Sequence, residues 1–241
     1  MEDAFVEILN TLAGTPASVG LLVTAAAIFL TSDWRLSLTA LLVQYILLGL
    51  AVTRSAPMEI GLVKILAGVL AVFILYLSAR KVQEMAAAAP TKEPPSLRPG
   101  WDAGPLGLPL RLLTLLLVVL AVMLAFERVH VPLMPADLVL AALWLVGLAL
   151  ASLVIGHEPL RVGPAALSIL AAFDLVYGGF ASNLAVVGSL GALTLLAALA
   201  FAYLVIIQGM TAQAAAPALG PGERAAGPVP NLPNVSEEDR L

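Results

Sequence analysis

Cysteine is absent from the 241-residue chain, so no disulfide, iron–sulfur cluster or thiolate metal site can form on it. Histidine is nearly absent. His130 and His157 fall in different loops between apolar runs, too few and too dispersed for a metal or haem centre. Charge is scarce as well: Asp, Glu, Lys and Arg make up 12% of the residues, about half their share in a soluble domain. There is no phosphate loop, no Ser/His/Asp set and no carboxylate cluster at metal spacing. The chain therefore reads as a non-enzyme, with no catalytic residues, metal ligands or cofactors of its own. A net charge of −4 and a pI of about 5.1 argue against a nucleic-acid partner.

What is present is apolar. Hydrophobic residues make up 61% of the chain, mean hydropathy is +1.00, and the charges cluster between long apolar runs. That is the pattern of an all-α polytopic membrane bundle, with the lipid bilayer as its first partner. The opening MEDAFVEILN is acidic and does not read as a cleaved signal peptide.

A spanning helix needs about 20 apolar residues. Seven runs qualify: 16–32, 36–53, 58–79, 108–126, 134–155, 164–181 and 184–207. Pro57 and Pro164 mark helix starts, where a missing N–H costs nothing. Residues 82–105 carry five prolines among charges and read as an irregular linker. Residues 211–241 are rich in Pro, Gly and Ala and read as a disordered tail. The expected organisation is a three-span region (1–81), the linker (82–105), a four-span region (106–210) and the tail (211–241).

Orientation follows from Lys and Arg. With seven spans, one face holds nine basic residues: Arg35, Arg80, Lys81, Lys92, Arg98, Arg111, Arg161, Arg224 and Arg240. The opposite face holds Arg54 and Arg128. The asymmetry puts the N-terminus outside and the C-terminus in the cytoplasm, as in the inner membrane of a prokaryote. A weak internal similarity relates LLVQYILLGLAV and the following helix to LAALWLVGLALA and its successor. Units of three spans would be inverted relative to each other, as in many transporters.

Three polar side chains interrupt the apolar runs: Gln44, Lys64 and Asp174. A lysine six residues into a span costs about 2.5–3.5 kcal/mol on the insertion scale. With a rise of about 1.5 Å per residue, all three fall in one layer of the outer half. Their helix faces carry small residues: Gly61, Ala67, Gly68 and Ala71 around Lys64, and Ala171, Gly178 and Ala181 around Asp174. Small residues mark helix–helix contacts in membranes, so both charges are expected to face protein and to pair with each other. The plainer alternatives are a snorkelling Lys64, a protonated structural carboxyl at Asp174, and Gln44 as interhelical glue. Tyr45, Tyr76 and Tyr177, and likewise Trp34, Trp101 and Trp144, read as packing or interfacial residues.

Segments 33–81 and 169–179 carry a resemblance. DWRLSLTALLVQYILLGLAV, with Gln44, and APMEIGLVKILAGVLAVFILYLSARK, with Lys64, resemble the second and third helices of the hydrogenase-4 membrane component E family. Members of that family are relatives of the small K subunit of respiratory complex I. ILAAFDLVYGG places Asp174 near that family's intramembrane carboxylate, although Leu175 and Val176 stand where the family has Asn-Gly. The last span, 184–207, lacks the ionisable residue that relatives often carry. The resemblance implies a subunit of a complex I-like or membrane-bound hydrogenase-like assembly, partnered by other membrane subunits. It would contribute to ion or proton translocation, or scaffold it, with redox centres elsewhere. Gln44, Lys64 and Asp174 would be its polar layer. The alternatives are a small inverted-repeat transporter and a membrane assembly or scaffold protein.

Overall fold

The computed structural model describes residues 15–31, 33–54, 56–88, 107–129, 134–156, 159–178 and 184–215. These form seven helices: α1 (Thr15–Leu30), α2 (Trp34–Val52), α3 (Met58–Ala88), α4 (Gly107–Phe126), α5 (Ala136–Ile155), α6 (Pro159–Gly178) and α7 (Leu184–Ala215). Six of them, α2 to α7, are long and apolar enough to cross a membrane. The shorter α1 has 16 residues and rises about 24 Å. All the secondary structure of the described residues is helical, and its apolar helices suit a membrane-embedded bundle.

Helix ends follow local chemistry where the hydropathy pattern does not. Asp33 caps α2, its carboxylate accepting from the Arg35 backbone N–H at 2.9 Å. The apolar run ends at 79 and the sequence reads as a linker from 82, yet α3 continues to Ala88. Residues 82–88 are VQEMAAA, strong helix formers, and Arg80 pairs with Glu84 one turn on, at 2.8 Å. Likewise α7 runs to Ala215, so 211–215 are helical rather than part of an irregular tail. The remaining linker (89–105) and tail (216–241) lie outside the described residues.

Helix α6 starts at Pro159, five residues before the expected position. Pro164, read above as a helix start, is inside it. The first position suits Pro159. Pro164 deprives the Leu160 carbonyl of its i+4 donor, a loss that membrane helices tolerate because neighbouring helices and hydroxyl side chains compensate.

Helices α1, α2, α3, α7, α6 and α5 pack in that order into a ring that closes where α5 meets α1. Helices α2 and α6 also meet across it. α4 stands outside, packed on α5 with a slight touch on α1. Most of its large side chains, Leu113, Leu116, Leu117 and Leu120 among them, are exposed. An inverted repeat matching α1–α3 to α4–α6 would mirror the α2–α6 packing as α5 against α3. That pair is not among the substantial helix contacts, so the packing does not follow the repeat.

Glycine sets the closest crossings. Helix α3 passes α2 at Gly49 and Gly61, and one further stretch along it Gly68 lies under the Tyr45 ring, where a Cβ would collide. Helix α7 approaches α3 at Gly191 and Ala67, and α6 meets α2 at Gly178 and Val52.

Candidate functional site: a buried ion pair over a hydroxyl and amide layer

Lys64 Nζ lies 2.8 Å from Asp174 Oδ1, with side-chain exposures of 2% and 5%. The expected pair is therefore brought together, and Lys64 does not snorkel. The route differs from the expectation. The backbones of α3 and α6 scarcely approach each other, and the lysine chain reaches across, its Cε 3.9 Å from where a Cβ on Gly178 would stand. The small residues around Lys64 serve other neighbours: Gly61 and Gly68 admit α2, and Ala67 admits α7. The charges thus join two helices that packing alone leaves apart. The contact is electrostatic rather than a well-directed hydrogen bond, since Lys64 Nζ meets no acceptor in hydrogen-bond geometry among the described residues.

Gln44 is fully buried and does not join that pair. Its Nε2 donates to Ser168 Oγ at 3.1 Å, and Ser168 Oγ donates to the Pro164 carbonyl at 2.9 Å. Ser168 precedes Asp174 by six residues, about 9 Å along α6. The single layer read from helical depth is in fact two, stacked along α6. Tyr45 belongs to the lower one: its hydroxyl donates to the Leu167 carbonyl at 3.1 Å and lies against the Thr194 hydroxyl of α7. Gln44 Oε1 is buried with no donor among the described residues.

Ser168 and Thr194 do not stand out in the sequence, and Tyr45, which reads there as a packing or interfacial residue, is a buried interhelical donor. Hydroxyls on apolar helices are common and usually bond their own backbone, as Thr24, Ser78 and Ser152 do here. Ser168 too bonds the carbonyl one turn back, that of Pro164 and not the Leu160 carbonyl which the proline leaves without a donor, so nothing in the sequence marks it.

Below Gln44, toward the start of α2, the buried side chains of α2 and α3 are apolar: Leu41, Leu38, Ala71, Val72 and Leu75. The next buried polar groups on these helices, Ser37 and Ser78, lie near the far end. The polar column runs from the buried Lys64–Asp174 pair to the Gln44 layer and is closed below it by leucine.

A second ion pair lies at the α2–α3 end of the bundle. Arg54 Nη1 donates to Asp137 Oδ2 at 2.7 Å, and Ser18 Oγ donates to the same oxygen at 2.8 Å, so α1, the end of α2 and α5 are clasped together. At the opposite end Arg111 of α4 is buried and donates to the Leu30 carbonyl at the end of α1, 2.9 Å away. A cation suits that negative helix end. Trp144 Nε1 donates to the Leu22 carbonyl at 3.1 Å, which makes it an interhelical tie rather than an interfacial anchor. Trp101, His130 and His157 lie outside the described residues. Among the described residues no group of three or more His, Asp or Glu could hold a metal ion.

These features define a helical membrane bundle with one buried, charge-paired polar column. The family models, curated proteins and solved structures compared with the chain give no match.

Proposed function

We propose that the protein is a non-catalytic integral membrane subunit of a complex I-like or hydrogenase-like redox assembly. It spans the inner membrane of a prokaryote seven times, with its N-terminus outside and its C-terminus in the cytoplasm. The observation that carries the reading is the buried Lys64–Asp174 pair over the Gln44–Ser168–Tyr45 layer. Ionisable residues inside a membrane bundle are costly and usually belong to ion or proton pathways. The same segments carry the resemblance to the hydrogenase-4 membrane component E family.

The leucine closure below Gln44 favours a limited role. A continuous proton path needs titratable or water-lined groups across the whole membrane. Here the column ends at Leu41 and Leu75. The chain would supply a half-path, or couple electrostatically to charges in a neighbouring subunit. The wide lipid-exposed face of α4 leaves room for such a neighbour. The departure of the helix contacts from an inverted repeat weighs against the transporter alternative.

The test is extraction of native membranes in mild detergent, affinity capture of the chain and mass spectrometry of what accompanies it. Stoichiometric recovery of antiporter-like or hydrogenase-like subunits is expected. Recovery of the chain alone, as a monodisperse species from several detergents, overturns the reading.

A further inference from the structure

A groove of about 590 Å³ runs between α2 and α3 toward the end of the bundle opposite the Lys64–Asp174 pair. Its origin is the glycine crossing. The two helices touch at Gly49 and Gly61 and at Gly68 and Tyr45, and farther along larger side chains line the space between them. The floor is Leu38 and Val72, both buried, and the open side is edged by Val69 and Phe73, both exposed. At the mouth stand Trp34 and Tyr76, their ring centroids 6.0 Å apart, with Arg35, Arg80, Gln83 and Glu84.

The mouth sits at the depth of a headgroup. Arg80 is 22 residues, about 33 Å, along α3 from Met58, which matches a hydrocarbon core of about 30 Å. The apolar trough from Arg80 back to Val69 covers about 16 Å of helix rise, room for much of an acyl chain. Among the charged side chains that line the mouth, Glu84 offsets Arg80 at 2.8 Å and Arg35 remains, the nearby Asp33 carboxylate being engaged with the α2 backbone. The Arg35 guanidinium stacks 5.3 Å over the Trp34 ring and is 3.5 Å from Gln83 Oε1. Among the described residues it meets no carboxylate at ion-pair distance. Tryptophan and tyrosine favour this boundary for their mixed polarity, and a basic pocket between membrane helices suits an anionic lipid headgroup.

We propose that this groove is a binding site for one anionic phospholipid, its phosphate at Arg35 and one acyl chain along Leu42, Val69 and Phe73. The site depends on the membrane-embedded fold and not on membership of a redox assembly. A zwitterionic lipid fits the trough equally well but gains less at the mouth, so selectivity comes from Arg35.

The experiment uses the full chain in mild detergent, titrated with phosphatidylglycerol or phosphatidylcholine and read by native mass spectrometry. Phosphatidylglycerol is expected to bind about fivefold more tightly, the effect of about one basic side chain near the headgroup plane. Arg35→Gln abolishes that preference without shifting the melting temperature, while Arg128→Gln, in the loop after α4, preserves it. Should Arg35→Gln lower the melting temperature, Arg80→Gln replaces it: leaving Glu84 unopposed, it removes the preference too. A photoreactive side chain at Thr39 in native membranes is expected to crosslink to lipid. Equal binding of the two lipids, a preference that survives both substitutions, or a crosslink to a polypeptide overturns the proposal.

Discussion

Gly49 and Gly61 face each other where α2 crosses α3: a Cβ on Gly61 would stand 2.7 Å from the Gly49 carbonyl oxygen, and one on Gly49 would stand 2.8 Å from that of Gly61. Side chains crowd the same space, Thr53 at Gly61 and Ile65 at Gly49, and even if they moved aside the facing backbone carbonyls could not. Gly61→Ala is expected to cost about 1–3 kcal/mol by overpacking, read as a lower melting temperature in detergent. Gly188→Ala on α7 is the contrast. That position is open and exposed, so the added methyl meets nothing and the helix gains up to about 1 kcal/mol. A Gly61→Ala protein as stable as wild type would mean that the two helices do not cross there.

Lys64 and Asp174 are expected to behave as a unit. Removing either one leaves a buried charge uncompensated, at about 3–5 kcal/mol. Lys64→Ala and Asp174→Ala should each destabilise strongly, and the double variant should recover part of the loss. A double-mutant cycle on thermal stability measures the coupling. Strictly additive losses would show that the two side chains do not interact.

The lower layer gives the opposite asymmetry. Gln44 places one amide N–H on Ser168, and its Oε1 is buried with no donor among the described residues. Gln44→Leu therefore removes an unsatisfied acceptor and leaves Ser168 bonded to Pro164, so stability should change by less than about 1 kcal/mol. Ser168→Ala strands the amide as well and should cost about 1–3 kcal/mol. If Gln44→Leu proves the more damaging, then Oε1 has a partner in the folded protein, such as a buried water.

Seven spans and an outside N-terminus make a topological prediction in a chain free of native cysteine. Single cysteines at Ser55 and Ser96 should react with an impermeant maleimide from opposite sides of the membrane, Ser55 from outside and Ser96 only after the cytoplasmic face is opened. Labelling of both from one side would remove the odd number of crossings between them.

The apolar runs located each of the seven described helices, because hydrophobic length is the dominant signal in a membrane chain. They misplaced ends wherever a helix continues beyond the apolar stretch. Arg80, Lys81 and Glu84 look like the start of a linker to a hydropathy count, yet they propagate α3 through propensity and an i,i+4 pair. Pro164 misled for a related reason: a proline on an apolar boundary resembles a start, and only the backbone reveals Pro159 as the first residue. The Lys64–Asp174 pair was legible because two lone charges in apolar helices have few ways to be satisfied. The partners of Gln44 were not, because which of many hydroxyls faces which amide depends on helix rotation, and that is fixed by contacts between distant segments. The mutual approach of Gly49 and Gly61 was hidden likewise, since each glycine is ordinary until the other helix is placed.

The leucine closure beneath Gln44 has an electrical consequence. In a uniformly dielectric slab, voltage falls in proportion to depth. Lys64 is six residues, about 9 Å, along α3 from Met58, or about a third of a hydrocarbon core about 30 Å thick. A charge that reached the pair from the nearer solution would cross only that fraction of the field. A membrane potential of 100 mV would shift its energy by about 0.7 kcal/mol, against about 2.3 for a full crossing. The rest of the drop falls across Leu41, Leu38 and Leu75, which act as the insulating layer of a small capacitor. A charge arriving from the opposite solution would instead have to cross the remaining two-thirds of the field.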